Sequence, residues 1–119
     1  MTDERKALIR EYKQKAKEMG VYCIRNTVNN RCFVGFSTDI QARFNRHRQQ
    51  LKYGSEPNPL LLADWREFGA DSFVFETLEL LEPLDKSGYN PREDLKVLES
   101  IWLEKLNPFV PDGYNKPRG

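Results

Sequence analysis

Residues 20–39 of the chain, GVYCIRNTVNNRCFVGFSTD, decide the fold. Two runs rich in β-branched and aromatic residues, VYCIR and RCFVGF, flank NTVNN, whose asparagines tolerate the backbone conformations of a turn. This pattern predicts a β-hairpin over residues 21–36.

The parity of the turn predicts which side chains of the hairpin meet. When a hairpin loop has an even number of residues, the numbers of paired residues sum to an odd number, which places Tyr22 and Phe33 on one face. If Thr27 and Val28 are central in the turn, these two aromatic rings are direct neighbours across the strands.

A helix is predicted directly after the hairpin. Ser37, Thr38 or Asp39 can cap its first turn, and the helix is expected to run to about Tyr53 and to stop at Gly54. Its apolar stripe includes a histidine, because the residues at helical spacing are Ile40, Phe44, His47 and Leu51.

Hydrophobic periodicity predicts the remaining elements. They are an N-terminal helix over residues 4–18, a helix at LLLADWREFG, a strand at SFVFETLELL and a last helix over about residues 92–106. We therefore expect an α/β domain in which helices flank a three-stranded sheet.

Length and composition limit the classes of protein to which the chain can belong. A chain of 119 residues suits one domain. No apolar run approaches the roughly 20 residues that span a bilayer, and the N-terminus has no apolar signal region, so we expect no membrane association and a cytoplasmic protein. Cys23 and Cys32 are too few for a disulfide scaffold; a redox pair is conceivable, but the pattern favours small apolar side chains.

Charge is distributed unevenly along the chain. Residues 40–55 contain no acid, whereas residues 64–105 contain 11 acids and 5 bases. The basic stretch can meet phosphate, but a solvated helix face explains the same residues. Its basic side chains are Arg43, Arg46, Arg48 and Lys52.

Four polar side chains stand where packing alone does not favour them. Tyr22 shares a hairpin face with Phe33, and Arg43 and His47 lie four residues apart, so both project from one side of a helix. Glu99 interrupts a predicted apolar stripe of Leu95, Trp102 and Leu106 in the last helix. A buried carboxylate is costly unless it is paired, protonated or bound to a metal.

Each of these residues also has a purely structural explanation. His47 is explained equally well as a core histidine whose hydrogen bonds are satisfied, Arg43 as an ion-pair partner of Glu99, and Tyr22 as a packing residue. Only the joint arrangement favours a function.

The joint arrangement suits phosphodiester hydrolysis. Glu99 can hold one divalent hard cation, and Arg43 can donate a fork of hydrogen bonds to phosphate oxygens. A water nucleophile needs a base, for which His47 and Tyr22 are the candidates.

These residues, in this order, resemble the GIY-YIG nuclease family. The matching motifs are GVY at 20–22, FVG at 33–35, Arg-x-x-x-His at 43–47, LES with Glu99, and GYN at 113–115. The resemblance divides the chain into a helical extension at 1–19, a nuclease domain at 20–115 and a short tail at 116–119.

The resemblance implies a fold, an activity and a site. It implies a three-stranded antiparallel sheet and an endonuclease that hydrolyses DNA, one strand per active site, with one Mg²⁺ or Mn²⁺ ion. Branched and single-stranded DNA are candidate forms of the substrate. A protein partner or a dimer would supply target choice. The implied roles are catalysis for Tyr22, Arg43, His47 and Glu99, metal binding for Glu99, substrate binding for Arg43, Arg46, Arg48, Lys52 and Asn115, and support of the motifs for Gly20, Phe33 and Gly35.

Two positions depart from the family pattern. Phe33 stands where the second motif has a tyrosine, and Phe36 occupies a position where many relatives carry a polar or basic side chain. An alternative is therefore a GIY-YIG-fold module that binds nucleic acid with weak or no catalysis. A third possibility is a protein-interaction domain that uses the N-terminal helix.

Overall fold

A computed structural model describes residues 18–84 and 86–117, so the predicted N-terminal helix lies outside the described residues. The elements are β1 (Gly20–Asn26), β2 (Cys32–Ser37), α1 (Ile40–Tyr53), α2 (Pro59–Phe68), a 3-10 turn (Ala70–Ser72), β3 (Phe73–Leu80) and α3 (Pro91–Leu106). The strands form one antiparallel sheet in the order β2-β1-β3, which confirms the predicted α/β fold. No helix within the described ranges has the length and apolar character needed to cross a membrane.

The hairpin forms as predicted, but its register differs by one pair of residues. Tyr22 lies opposite Gly35, so Tyr22 and Phe33 share a face and are diagonal rather than direct neighbours. The prediction of direct neighbours was wrong because the turn is centred one residue later. The Asn30 amide donates to the Asn26 carbonyl at 2.8 Å, and Asn30 adopts a φ of 63°, a left-handed conformation that asparagine tolerates better than most residues.

Local hydrogen bonds set both ends of α1. The Asp39 side chain accepts from the Ala42 amide at 3.2 Å and caps the first turn. Gly54 ends the helix with a φ of 79°, where its amide donates to the Gln50 carbonyl. The predicted stripe is confirmed, since the buried side chains of α1 are Ile40, Phe44, His47 and Leu51.

The sheet separates two apolar clusters. Tyr22 and Ile24 of β1 point toward the face covered by α1 and α2. Val21 and Cys23 point to the opposite face, where they pack with Leu103 of α3. Since neighbouring residues of a strand face opposite sides, this alternation makes β1 the buried middle strand of a three-layer domain.

The buried stripe of α3 differs from the predicted one at its last position. Leu95 and Leu103 are buried, whereas Leu106 is 41% exposed. Leu106 belongs to the last turn of the helix, next to the left-handed Asn107 that ends it, and Leu103 takes the buried place one turn earlier. The other two residues of the predicted stripe, Glu99 and Trp102, are half-buried.

The segment after α3 lies along the outer edge of β2. The Tyr114 amide donates to the Cys32 carbonyl at 3.0 Å. The side chain of Asn115 then bonds to both backbone groups of Val34, accepting from the amide and donating to the carbonyl at 2.9 Å each. Asn115 thus pairs with β2 as a neighbouring strand would, which covers part of an otherwise open sheet edge.

A buried polar cluster joins this segment to the hairpin and to α2. The Tyr114 hydroxyl donates to the Asp64 carboxylate at 2.7 Å and accepts from the side-chain amide of Asn26 at 3.2 Å. Asn29 and Arg31 also donate to Asp64. Burial raises the pKa of the Asp64 carboxyl, but these hydrogen bonds outweigh burial, and the pKa lies below its ordinary value.

We predict that Tyr114→Phe lowers the free energy of unfolding by about 1–2 kcal/mol, because the buried Asp64 carboxylate loses one donor and keeps two others. Urea denaturation of both proteins measures the difference. Tyr53→Phe is the matched control, since Tyr53 is 76% exposed. Equal effects of the two substitutions would contradict the structural role of the Tyr114 hydroxyl.

Candidate active site

A cavity of about 320 Å³ lies beside β2, where residues from both faces of the sheet converge. Its walls include Tyr22 of β1, Phe33 of β2, Arg43 of α1, Glu99 of α3 and Asn115 from the C-terminal segment. The structure therefore brings the separated motifs together at one place, which we call the catalytic cavity because its walls include three of the residues predicted to be catalytic, Tyr22, Arg43 and Glu99.

His47 lies behind Tyr22 and is hydrogen-bonded at both ring nitrogens. Its Nε2 is 2.9 Å from the Tyr22 hydroxyl, and its Nδ1 is 3.0 Å from Oε2 of Glu56. The side chains of His47 and Glu56 are 9% and 3% exposed. Tyr22, His47 and Glu56 thus form a continuous buried chain of hydrogen bonds.

The chemistry of the three groups sets the direction of these bonds. An ionised carboxylate only accepts hydrogen bonds, so His47 donates its Nδ1–H to Glu56. When His47 is neutral, Nε2 is then left as the acceptor, and the Tyr22 hydroxyl donates to it. This arrangement is the one that activates a hydroxyl through a histidine that a carboxylate orients.

Burial keeps the Tyr22 hydroxyl protonated at rest. Desolvation is the largest cause that raises the pKa of Tyr22 far above its ordinary value; Arg43 acts in the opposite direction, while Glu56 and Glu99 add to the increase. The charges of Arg43 and Glu99 therefore act on a hydroxyl that shares the catalytic cavity with them. A preformed phenolate is disfavoured there.

Two motif glycines are required by close packing. A Cβ at position 35 would lie 2.7 Å from the Tyr22 hydroxyl oxygen, so any larger residue would push that hydroxyl away from His47. A Cβ at Gly20 would overlap the backbone of Glu79 on β3. Gly35 therefore shapes the site, and Gly20 allows the close approach of β1 and β3.

The residues of the catalytic cavity fit a hydrated hard cation. Within the described ranges, no group of three or more His, Cys, Asp or Glu side chains is arranged as a metal site. Mg²⁺ commonly keeps several waters and binds through one or two carboxylates together with substrate phosphates. Glu99 supplies one carboxylate, and Arg43 and Arg92 in the same walls suit the phosphate.

The predicted basic set divides between two regions. Arg46 lines a second cavity next to the catalytic one. Arg48 and Lys52 do not reach either; they border a separate groove, with the Arg48 guanidinium 4.2 Å from the centre of the Phe75 ring. This contact is a cation–π interaction. Arg48 and Lys52 thus line neither of the two cavities, and their role in binding substrate stays a prediction.

Sequence reasoning missed Glu56 and Arg92. Glu56 stands in a loop beyond the end of α1, so no helical spacing connects it to His47. One signal was available: Glu56 is the only acid between Asp39 and Asp64. A lone carboxylate directly after a basic stretch that contains a histidine on an apolar stripe is a candidate partner for that histidine.

The cysteines are free thiols with a structural environment. Burial, assisted by the nearby Glu76 carboxylate, raises the pKa of Cys23 to about 12, and burial also raises the pKa of Cys32. Both thiols therefore stay protonated near neutral pH, which disfavours a reactive thiolate. The interpretation as small apolar side chains fits their place in the cluster below α3.

We predict that Glu56→Ala releases the His47 ring from a single tautomer, because Nδ1–H loses its acceptor. In ¹⁵N NMR spectra of the neutral ring, the wild-type Nε2 should show the shift of an unprotonated nitrogen, and the variant should show a mixture. Glu67→Ala removes an exposed glutamate of α2 and serves as the control. Unchanged ring shifts in Glu56→Ala would show that Glu56 does not orient His47.

Comparisons with known proteins identify relatives of the whole described domain. Residues 18–115 match the GIY-YIG catalytic domain. The chain is 34% identical over 97 residues to intron-associated endonuclease 1 of Enterobacteria phage T4, a match that covers 81% of this chain and 36% of the phage protein. This chain thus corresponds to little more than a third of that relative's length.

Two solved structures share the fold. One is a mutant of the catalytic domain of intron endonuclease I-TevI, with 26% identity, a TM-score of 0.69, and coverage of 82% of this chain and 92% of that one. The other is the catalytic domain of homing endonuclease I-TevI, with 27% identity, a TM-score of 0.69, and coverage of 84% and 99%.

Proposed function

Because the chain belongs to the GIY-YIG family, we propose that it is an endonuclease that hydrolyses phosphodiester bonds in DNA, one strand per active site, with one Mg²⁺ or Mn²⁺ ion. The observation that carries this proposal is the series of hydrogen bonds that links Tyr22, His47 and Glu56. Tyr22, at one end of this series, lines the same cavity as Arg43 and Glu99.

Tyr22 and His47 act together on the nucleophilic water. The Tyr22 oxygen, which donates its proton to His47, accepts a hydrogen bond from water with its free lone pair. As the water attacks phosphorus, its proton passes to the Tyr22 oxygen while the Tyr22 proton passes to Nε2 of His47. Glu56 stabilises the imidazolium that forms, and Tyr22 stays neutral throughout, in agreement with the raised pKa of its hydroxyl.

Arg43 and Glu99 act on the phosphate group. Arg43 donates hydrogen bonds to the non-bridging oxygens, where negative charge grows as the new P–O bond forms and the bond to the leaving sugar oxygen breaks. Glu99 holds the divalent cation, which when bound neutralises charge on the phosphate and on the leaving oxygen. Arg46 and Arg92 extend the positive charge along the cavity walls toward neighbouring phosphates.

Asn115 shapes this site through the backbone. Since its side chain bonds to both backbone groups of Val34, it holds β2 and therefore the wall that carries Phe33 and Gly35. Target choice is a separate matter, for which we propose that a protein partner or a second copy of the chain contributes, because Arg43, Arg92 and Glu99 in the catalytic cavity suit a phosphate and a cation and do not read base edges.

We predict that Glu99→Ala lowers metal-dependent nicking by about a hundredfold or more, because loss of the cation removes several kcal/mol of charge stabilisation. The measurement is conversion of supercoiled plasmid and of labelled single-stranded and branched oligonucleotides with Mg²⁺ or Mn²⁺. Glu104→Ala, which removes an exposed glutamate from the same helix, is the matched control. Full activity in Glu99→Ala would exclude the mechanism.

Phe33→Tyr tests whether the hydroxyl that is absent from the second motif limits the rate. The hydrogen bond from Tyr22 to His47 is complete without it, and Phe33 meets these rings only through ring contacts, with centroids 6.3 Å and 5.6 Å away. We therefore expect the nicking rate to change by less than about tenfold, the range of one ordinary hydrogen bond. A rise of two orders of magnitude would instead show that this hydroxyl is a missing catalytic group.

The same departure at Phe33 favours a second candidate function, a nucleic-acid-binding module without turnover. A gel-shift assay beside the nicking assay separates the two functions. Binding of DNA without products by the wild-type chain supports the module, whereas products that disappear in Glu99→Ala support the endonuclease.

A further inference from the structure

A second and larger cavity adjoins the catalytic one. It encloses about 580 Å³ and shares Tyr22, Phe33, Arg43 and Asn115 with the walls of the catalytic cavity. We call it the side pocket and define it by the walls that it does not share with the catalytic cavity, which include Arg46, Gln50, Pro57, Pro59, Leu60, Val110 and Lys116. Its size lies within the range of roughly 300–1,000 Å³ typical of small-ligand sites.

The inner surface of the side pocket is largely apolar. Pro57, Pro59, Leu60 and Val110 contribute aliphatic surface, and Phe33 contributes an aromatic ring that lacks a hydroxyl. Such surfaces suit the flat face of a nucleobase, because stacking on rings and aliphatic groups accepts every base.

Polar groups deep in the side pocket are engaged within the protein. Both ring nitrogens of His47 have partners. The side chain of Asn58 donates to the Tyr114 carbonyl at 2.6 Å and accepts from the backbone amide of Leu61 at 3.0 Å. A ligand at the bottom of the pocket would therefore contact apolar surface rather than a set of free hydrogen-bonding groups.

Basic side chains line the side pocket where it meets the catalytic cavity and at its rim. Arg43 belongs to both cavities, while Arg46 and Lys116 are exposed. A ligand with an apolar flat part and an anionic part next to it matches this distribution. A nucleotide has this form, and its phosphate would lie at Arg43.

We propose that the side pocket binds the unstacked base of a nucleotide next to the scissile phosphate. This inference rests on the proposed endonuclease function and adds a feature of the substrate. A base inside a continuous duplex cannot enter a pocket in the protein, so the nucleotide must be single-stranded, at a junction or turned out of the helix. The preferred substrate is then single-stranded or distorted DNA rather than intact duplex.

The first experiment needs no cleavage. Methyl NMR of the full chain follows Leu60 and Val110 during titration with thymidine 5′-monophosphate and, separately, with 2-deoxyribose 5-phosphate. We expect the nucleotide to shift both methyl groups and to bind about fivefold or more tightly than the sugar phosphate, since stacking of one base contributes at least about that factor. Equal affinities, no binding of the nucleotide, or shifts confined to the surroundings of Arg43 would overturn the proposal.

The second experiment uses cleavage. Single-stranded oligonucleotides that carry one abasic site at successive positions around the cut should lose about fivefold or more in kcat/KM at one flanking position. In Val110→Trp, whose indole fills the pocket, the ratio of intact to abasic substrate should fall to about one. Val97→Trp places the same side chain on the exposed face of α3, where Val97 is 61% exposed, and should keep the wild-type ratio.

The two proposals fail in different ways. Absence of cleavage, or cleavage that survives Glu99→Ala, contradicts the endonuclease function, while the NMR titration still decides whether the pocket takes a base. Cleavage that depends on Glu99 but is insensitive to an abasic site at every position would contradict the side pocket and leave the endonuclease function intact.

Discussion

The hydrogen bond from the Tyr22 hydroxyl to His47 joins the middle strand of the sheet to α1, and the rest of the site depends on it. The hydroxyl can reach His47 only because position 35, directly across the hairpin, has no side chain. His47 in turn accepts from Tyr22 only because Glu56 holds the proton on the other ring nitrogen. The position of the Tyr22 hydroxyl oxygen in the catalytic cavity thus depends on the hairpin register, on the helix α1 that carries His47 and on Glu56 in the following loop.

The C-terminal segment provides the second structural constraint. Tyr114 is anchored in the core by Asp64, and Asn115 pairs with the edge of β2. These contacts fix the wall that the two cavities share, so a segment without regular secondary structure helps to determine the shape of both. The GYN motif therefore stabilises the packing of the C-terminal segment on the domain as well as the site. Gly113 belongs to the same closure, because a Cβ there would overlap the backbone of Pro108.

Much of the fold could be predicted from the sequence because its signals are local. The turn asparagines, the capping Asp39 and the stop at Gly54 act within a few residues, and the spacing of Arg43 and His47 places both on one side of α1 whatever surrounds the helix. Predictions that needed distant contacts were less accurate. The hairpin register was one pair off, and Leu103 replaced Leu106 in the buried stripe.

The sequence by itself determined the order of the elements, the hairpin, the helix ends and the identity of the chemical groups that could act on phosphate. Only the tertiary structure decided which carboxylate serves His47, because Glu56 reaches the ring from a loop whose path depends on the packing of α2 and the C-terminal segment. It also decided that two cavities adjoin at Phe33, since their walls come from residues between 22 and 116. Helix and turn signals depend on hydrogen bonds within a few residues, whereas a cavity exists only when distant surfaces meet.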